Sequence, residues 1–336
     1  MRDEPEKWEP IFRGRLHTLL GCNGGPAEFD ELRAEAEERL GTANAVTLLI
    51  ECSREYARSY RRPIKESVAA WEALRERAEG SLEEDETTLM AIRSYYARCF
   101  RFRGAPGDLD RVVELRREEL DRRAAVRPED DNLVGIARAD LAVALTDRGR
   151  YGAFDQNLRH NAPAADLQEA RELIEYEIDR RSKVFTPANS FAQHSNGILA
   201  AVLVSLAERS AGPEREAYAG TSLAMTAELI KYYWEYDGIR SFGLLKSELF
   251  HAQALTLAGR LSDGAREARL ALGIAQRSKR NIDPGWPLIV VARTHLPLDP
   301  QAALSAASKA LAKRLKFFPA ASYRVVEAER FIESAG

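Results

Sequence analysis

Residue types that enzymes use for catalysis are present in this sequence, but their spacing does not form a known catalytic motif. The five histidines are scattered, with no pair four residues apart and no metalloprotease motif; they are His17, His160, His194, His251 and His295. Neither a serine-hydrolase nucleophile motif nor a phosphate-binding glycine loop occurs. We therefore predict no catalytic residue, no metal site and no cofactor, and keep an enzyme on a helical scaffold as an alternative.

Two acidic runs and three cysteines are the remaining candidates for chemistry. The runs at 83–86 and 129–131 would suit acid–base catalysis or metal binding. They also stand where helices are predicted to begin, and negative charge there stabilises the helix dipole, so we favour the structural role. Cys22, Cys52 and Cys99 fit no metal spacing, and we predict reduced thiols in a cytoplasmic protein.

Charge is unusual in both its kind and its distribution. Of the 49 basic residues, nine are lysine and 40 are arginine, and the net charge is −3. Residues 1–250 carry a net charge of −9 and residues 251–336 carry +6. The balanced total gives no indication of nucleic-acid binding. The asymmetry predicts a carboxyl-terminal surface that faces an acidic partner or the amino-terminal half of a second copy.

Helical periodicity runs along the chain, and strand signals are nearly absent. Apolar residues recur every three or four positions in 108–125 and in 166–184, with arginine and glutamate between them. Glycine and proline separate segments of roughly 15–22 residues. We therefore predict an all-α chain of about fourteen helices, packed as antiparallel neighbours because the connections are short.

A small residue followed seven positions later by a glycine recurs in three predicted helices. The pairs are Ala97/Gly104, Ala142/Gly149 and Ala252/Gly259. Alanine allows two antiparallel helices to approach closely, and glycine supplies the left-handed residue that ends a helix. The pattern therefore predicts buried alanines at helix crossings and glycines that close the helices.

These features resemble the tetratricopeptide repeat (TPR) family. The strongest match is ARADLAVALTDRGRY, residues 137–151. The period of roughly 42–45 residues and the polar helix starts at 82–89 and 127–133 are similar to the kinesin-light-chain-like subgroup. The first-helix tryptophan of the family is missing, and Pro63 replaces one glycine. The resemblance implies a right-handed superhelix of helical hairpins with helical caps; HEAT-like helical pairs remain an alternative.

The pattern divides the chain into three parts. Residues 1–40 are predicted to form an amino-terminal helical cap, 41–280 the repeat array, and 281–336 a carboxyl-terminal helical cap. A polar insertion at 151–165 interrupts the third repeat, and it is either a binding loop or a tolerated excursion.

The predicted helix 300–317 is basic and amphipathic. Such a helix can lie on a membrane, but its apolar stripe is made mostly of alanine and leucine. We therefore expect it to pack as a cap through Leu304, Ala307, Leu311 and Leu315, and we expect no membrane partner.

The resemblance implies a ligand groove lined by the first helix of each repeat. Several arginines fall on this predicted surface, and neighbouring guanidinium groups repel one another unless an anion lies between them. The surface is therefore predicted to bind an acidic peptide segment or a chain-terminal carboxylate. The alternative is a solvated arginine face neutralised by Glu51 and Glu55. Counted in the frame of the repeat, the predicted groove residues are Arg54, Arg58, Arg61, Arg98, Arg101, Phe102, Lys246 and Gln253.

The function implied by the resemblance is that of a cytoplasmic adaptor. It would bind a protein or peptide segment, have no chemistry of its own, and bind neither nucleic acid nor membrane. A homo-oligomer is left open. The alternative function is a regulatory sensor that holds a peptide or a small anionic ligand.

Overall fold

A computed structural model describes residues 5–21, 26–59, 64–84, 86–155, 157–158, 162–186, 189–238, 241–277 and 283–336. These residues form fifteen α-helices and one short 3-10 helix, and they contain no β-strand. The all-α prediction is confirmed, with one helix more than expected. The contacts between helices divide the chain into two units.

The first unit contains Met1–Arg103 and Glu114–Glu129. Its helices are α1 (Pro5–Gly21), α2 (Pro26–Leu40), α3 (Ala45–Ser59), α4 (Ile64–Glu79), α5 (Thr87–Arg103) and the larger part of α6 (Asp108–Val126). Each of α1 to α4 packs on the helix that follows it, and α3 also contacts α1 and α5. This is the arrangement of antiparallel hairpins joined by short turns that the sequence predicted.

Two apolar clusters hold the first unit together. Phe12, Phe29 and Ile50 belong to the cluster that joins α1, α2 and α3. Trp71 and Cys52 belong to the second, which joins α3, α4 and α5. Because both clusters include residues of α3, this helix is fixed on two sides.

The second unit contains Gly104–Val113 and Asp130–Gly336. After the first turns of α6 it contains α7 (Asn132–Tyr151), α8 (Pro163–Val184), α9 (Ser190–Arg209), α10 (Gly212–Tyr236), α11 (Phe242–Leu257), α12 (Leu261–Arg277), α13 (Trp286–His295), α14 (Pro300–Phe317) and α15 (Tyr323–Ala335). A 3-10 helix, Gly152–Phe154, follows α7.

Alternate helices of the second unit lie side by side. Helices α7, α9, α11 and α13 contact one another in that order, and α15 returns to contact α7 and the 3-10 helix. The backbone N–H of Tyr323 donates to the carbonyl of Gly104 over 3.1 Å, and the rings of Tyr151 and Tyr323 stack with centroids 5.3 Å apart. The last helix of the chain is therefore built into the second unit near its first helix.

The alanines predicted at the helix crossings are buried. Ala97 is 1% exposed, and Ala142 and Ala252 are 0% exposed. Gly104 and Gly259 adopt φ angles of 60° and 79°, the left-handed conformation expected of a residue that follows a helix. The prediction for these two glycines is confirmed.

Gly149 was predicted to close a helix, and this prediction is wrong. It lies within α7, which continues to Tyr151. A Cβ atom at Gly149 would lie 2.7 Å from Cγ of Leu167 and 3.0 Å from the carbonyl oxygen of Pro163. Glycine is thus needed at this position because α8 passes very close to α7.

We expect Gly149→Ala to destabilise the fold by about 1–3 kcal/mol, because the added methyl group would overlap Leu167 and the α8 backbone. Gly273→Ala in α12 is the matched control, since nothing lies within 4 Å of a Cβ there. Alanine favours the helix at that position, so the control gains up to ~1 kcal/mol. Urea unfolding measures both variants, and equal stability of the two would contradict this account of the crossing.

Candidate functional site

A cavity of about 510 Å³ opens between α3 and α4 of the first unit. The residues that line it occupy one stripe of each helix, at intervals of three, four and seven positions. They are Glu51, Arg54, Glu55 and Arg58 on α3, and Ala70, Ala73, Leu74 and Arg77 on α4.

The local sequence explains why the two helices enclose this space. Leu48 and Cys52 bind α3 into the apolar core, and Trp71 does the same for α4. On the α4 side, the wall of the cavity includes the methyl groups of Ala70 and Ala73. The polar stripe of α3 therefore faces small side chains, and room is left for a ligand.

The carboxylate of Asp30, on α2, bridges the two arginines of α3. One oxygen, Oδ1, accepts a hydrogen bond from Nε of Arg54, and the other, Oδ2, accepts one from Nη2 of Arg58. The side chain of Asp30 is 39% exposed, whereas those of Arg54 and Arg58 are 16% and 17% exposed. Two half-buried guanidinium groups thus hold one solvent-accessible carboxylate.

Two further carboxylates complete the electrostatics of the cavity. Glu55 accepts from Nη1 of Arg54 over 3.0 Å and lies 3.6 Å from Nη1 of Arg58. Glu51 pairs with Nη2 of Arg77 over 2.6 Å. Together with Asp30, three carboxylates face three guanidinium groups. The site is suited to recognising charged groups by exchange of ion-pair partners.

The nearest thiol offers no nucleophile. Cys52 lies next to Glu51 and is buried, and burial together with that negative charge raises the pKa of Cys52 to about 12. Burial likewise raises the pKa of Cys99 to about 12. Because a thiolate is the reactive form, both side chains stay protonated and unreactive near neutral pH. Both are free thiols, as predicted, and Cys22 lies outside the described residues.

The structure brings together part of the predicted groove. Arg54 and Arg58 line the cavity, whereas Arg98, Arg101 and Phe102 of α5 are not among its lining residues. Arg98 instead stacks on the ring of Phe102, with Cζ 5.1 Å from the ring centroid, and Arg101 is half-buried. Arg61, which was also predicted, lies outside the described residues.

The two predicted groove residues of the second unit differ in exposure. Lys246 is half-buried on α11. Gln253 is only 3% exposed; its Oε1 accepts from Nη2 of Arg150 over 2.5 Å, and its Nε2 donates to the carbonyl of Leu249 over 3.0 Å. The expectation that Gln253 faces an open groove is thus corrected: α7 and α11 meet at this residue, and both ends of its amide are used there.

The sequence reasoning missed two important residues of the site, one that lines the cavity and one that is bonded to its arginines. Arg77 lies on the second helix of its hairpin, and the repeat frame counted only first helices. Asp30 lies on α2, which was treated as a cap. The spacing of Ala70, Ala73 and Arg77 on one stripe was a signal that could have indicated Arg77. Nothing in the sequence pairs Asp30 with residues 24 and 28 positions away.

The insertion at 151–165 lies against the second unit where it is described. Both carboxylate oxygens of Asp155 accept from the backbone N–H of Gly107, over 2.8 and 3.0 Å. Nη1 of Arg330 donates to the carbonyl of Ala153 over 2.6 Å. These contacts tie the insertion to the start of α6 and to α15, and His160 lies outside the described residues.

The described residues offer few other groups that could carry out chemistry. No group of three or more histidine, cysteine or acidic side chains in that part of the chain is arranged to hold a metal ion. None of its helices is long and apolar enough to span a bilayer. His251 of α11 packs against α10, where its Nδ1 lies 2.8 Å from Oγ1 of Thr226.

No family model and no curated protein matches the sequence. Among solved structures, the chain is similar to TPR-like repeats of a protein described as a putative kinesin light chain, from Podosopora anserina. Identity is 15%, coverage is 71% of this chain and 99% of that one, and the TM-score is 0.47. A form of those repeats with one residue substituted matches at 16% identity, with 68% and 95% covered and a TM-score of 0.46.

The chain is also similar to BtubC (BKLC) from P. vanneervenii, at 15% identity, with 75% of this chain and 91% of that chain covered and a TM-score of 0.48. These are likenesses to helical repeats at low identity, and they assign neither a family nor a function to this chain.

A buried carboxyl group on α11 makes the stability of the fold depend on pH. Glu248 is 8% exposed, and burial, together with the nearby charge of Glu267, raises the pKa of Glu248 from 4.5 to about 7. Between about pH 4.5 and pH 7 the folded protein therefore holds a proton on Glu248 that the unfolded chain has released. The stability that this group contributes is fully present below about pH 4.5 and is lost as the pH rises through about 7.

We expect Glu248→Gln to remove this dependence and to stabilise the protein by about 3 kcal/mol near pH 8, since one pKa unit is worth ~1.4 kcal/mol. At pH 4 the variant and the parent chain should unfold at similar urea concentrations. Glu329→Gln, on α15, is the control. An unchanged pH profile in Glu248→Gln would refute the proposed protonation.

Proposed function

We propose that this chain is an interaction module that binds an acidic segment of another protein in the cavity between α3 and α4. The bound segment would place a carboxylate, from a side chain or from its chain terminus, between Arg54 and Arg58. The proposal keeps the adaptor function and the cytoplasmic location expected from the sequence, and it moves the site from first helices alone to one hairpin.

The bridging carboxylate of Asp30 is the observation that supports the proposal. Arg54 and Arg58 share one carboxylate through separate oxygens, which is the geometry that an acidic ligand would use. Asp30 reaches them from another helix and remains 39% exposed, so a ligand from solvent can compete for the same donors. Asp30 thus occupies the position that a ligand carboxylate would take.

The dimensions and charge of the cavity suit a peptide better than a bulky surface. Its volume of about 510 Å³ lies in the usual range of ~300–1,000 Å³ for ligand pockets, enough for a few side chains. The methyl groups of Ala70 and Ala73 provide an apolar wall beside the charged one. A segment with an acidic residue next to a small apolar residue would match both walls.

Removing the internal competitor tests this proposal directly. We expect Asp30→Asn to raise the affinity for a short fluorescent peptide rich in aspartate and alanine by about tenfold, ~1.4 kcal/mol, because the amide no longer neutralises the two arginines. Arg54→Ala should lower the affinity tenfold or more, since truncating a hydrogen-bonded charge costs ~2–5 kcal/mol. Fluorescence anisotropy measures both effects.

Matched controls come from an ion pair elsewhere in the same unit. Arg15 and Glu35 form a pair over 2.6 Å, but both side chains are more than 40% exposed and lie outside the cavity lining. Glu35→Gln and Arg15→Ala should leave binding unchanged, and an asparagine-for-aspartate version of the peptide, tested on the parent chain, gives the background. The proposal is wrong if Asp30→Asn and Glu35→Gln have the same effect.

A further inference from the structure

Helix α14 exposes its lysines, as the sequence predicted, but the predicted apolar stripe is buried only in part. Ala307 is 0% exposed and Leu311 packs on an apolar cluster, whereas Leu315 is 49% exposed. The buried face consists of Ala303, Ala306, Ala307, Ala310 and Arg314. The helix is thus turned so that alanines make up most of the face that meets the neighbouring helices.

The reason for this orientation is the burial of Arg314. Its side chain is 0% exposed; Nη2 pairs with Asp283 over 2.6 Å and Nη1 pairs with Glu327 over 2.9 Å. Its aliphatic part lies against Gly285, where a Cβ would come within 2.6 Å of Cγ of Arg314. Because these partners lie on one side of α14, the opposite side, with Leu315 and the lysines, must face water.

The solvent-exposed part of α14 carries three lysines, with one large apolar side chain exposed on either flank of them. Lys309, Lys313 and Lys316 are exposed, and none of them makes an ion pair or hydrogen bond with another described residue. Beside them, Phe317 is 62% exposed and Leu315 is 49% exposed. One third of the nine lysines of the chain thus stand within eight residues of each other.

The charge on this face is uncompensated along the sequence. From residue 300 to residue 326 there is no aspartate or glutamate. A lysine in the last turn of a helix stabilises the negative end of its dipole, but that effect fades within one turn and does not account for Lys309. The connection after α14 adds three exposed uncharged residues, Pro319, Ala320 and Ala321.

We propose that this face of α14, with the turn that follows it, docks on the surface of an anionic lipid bilayer. Lysine is a flexible point charge suited to many diffuse headgroups, whereas the carboxylates inside this fold, such as Asp166 and Glu177, are held by arginine forks. Phe317, the last residue of α14, protrudes at the helix end on the side of Lys313, so it can enter the interface while the lysines stay at headgroup level. This departs from the expectation that α14 only caps the fold.

The test is flotation of the full chain with vesicles of phosphatidylcholine containing phosphatidylserine. We expect binding to these vesicles, little binding to phosphatidylcholine alone, and loss of binding as salt is raised, because surface electrostatics are screened. The triple substitution of Lys309, Lys313 and Lys316 to glutamine should lower the partition coefficient about a hundredfold, because each lysine raises that coefficient about fivefold.

Lys231→Gln is the matched control for the single variant Lys313→Gln, because Lys231 is exposed on α10. It should reduce partition far less than Lys313→Gln. Phe317→Ala should weaken partition severalfold, and Phe317→Trp should show a blue-shifted emission component when anionic vesicles are added. The proposal is overturned if the parent chain does not bind anionic vesicles at low salt, or if the control weakens binding as much as Lys313→Gln.

Urea unfolding curves show whether a loss of vesicle binding in a variant comes from a loss of its fold. The substituted side chains are exposed, so each variant should unfold at the urea concentration of the parent chain. Lipid binding does not depend on the cavity between α3 and α4, and Arg54→Ala should float with vesicles as the parent chain does.

Discussion

Buried ion pairs between arginine and carboxylate connect the helices of this protein. Arg148 of α7 holds Asp166 of α8 through two hydrogen bonds of 2.9 and 2.7 Å and reaches Asp110 of α6 over 3.1 Å. Glu177 of α8 is 0% exposed and accepts from Arg138 of α7. Breaking such a pair leaves an unpartnered buried charge, at a cost of about 3–5 kcal/mol. The relative placement of helices therefore depends on these forks as well as on apolar packing.

The same interaction places the last helices of the chain. Glu327 of α15 pairs with Arg293 of α13 over 2.7 Å and with Arg314 of α14 over 2.9 Å, and Arg293 also pairs with Glu208 of α9 over 3.0 Å. Because Arg314 is drawn inward, α14 buries its alanines and exposes its lysines. An internal charge network thus determines which surface the second unit offers to its surroundings.

In the first unit an ion pair of the same kind lies at the surface. Asp30 bridges Arg54 and Arg58, two residues that line a cavity, and its side chain is 39% exposed to solvent. Inside the second unit the forks are sealed by packing, whereas the carboxylate held by Arg54 and Arg58 is open to solvent. The accessibility of that carboxylate, and not the residue type, is what distinguishes the proposed binding site from the structural forks.

The amino-acid sequence by itself determined the helical nature of the chain, the buried alanines at its crossings and the closing role of Gly104 and Gly259, because these follow from local periodicity and backbone conformation. It also indicated Arg54 and Arg58 as residues of the candidate site. Only the tertiary structure decided that Asp30 and Arg77 join them, that Gln253 is buried, and that α14 turns Leu315 outward. Each of these depends on residues that are distant in sequence and meet across helices, and no local pattern encodes such a contact.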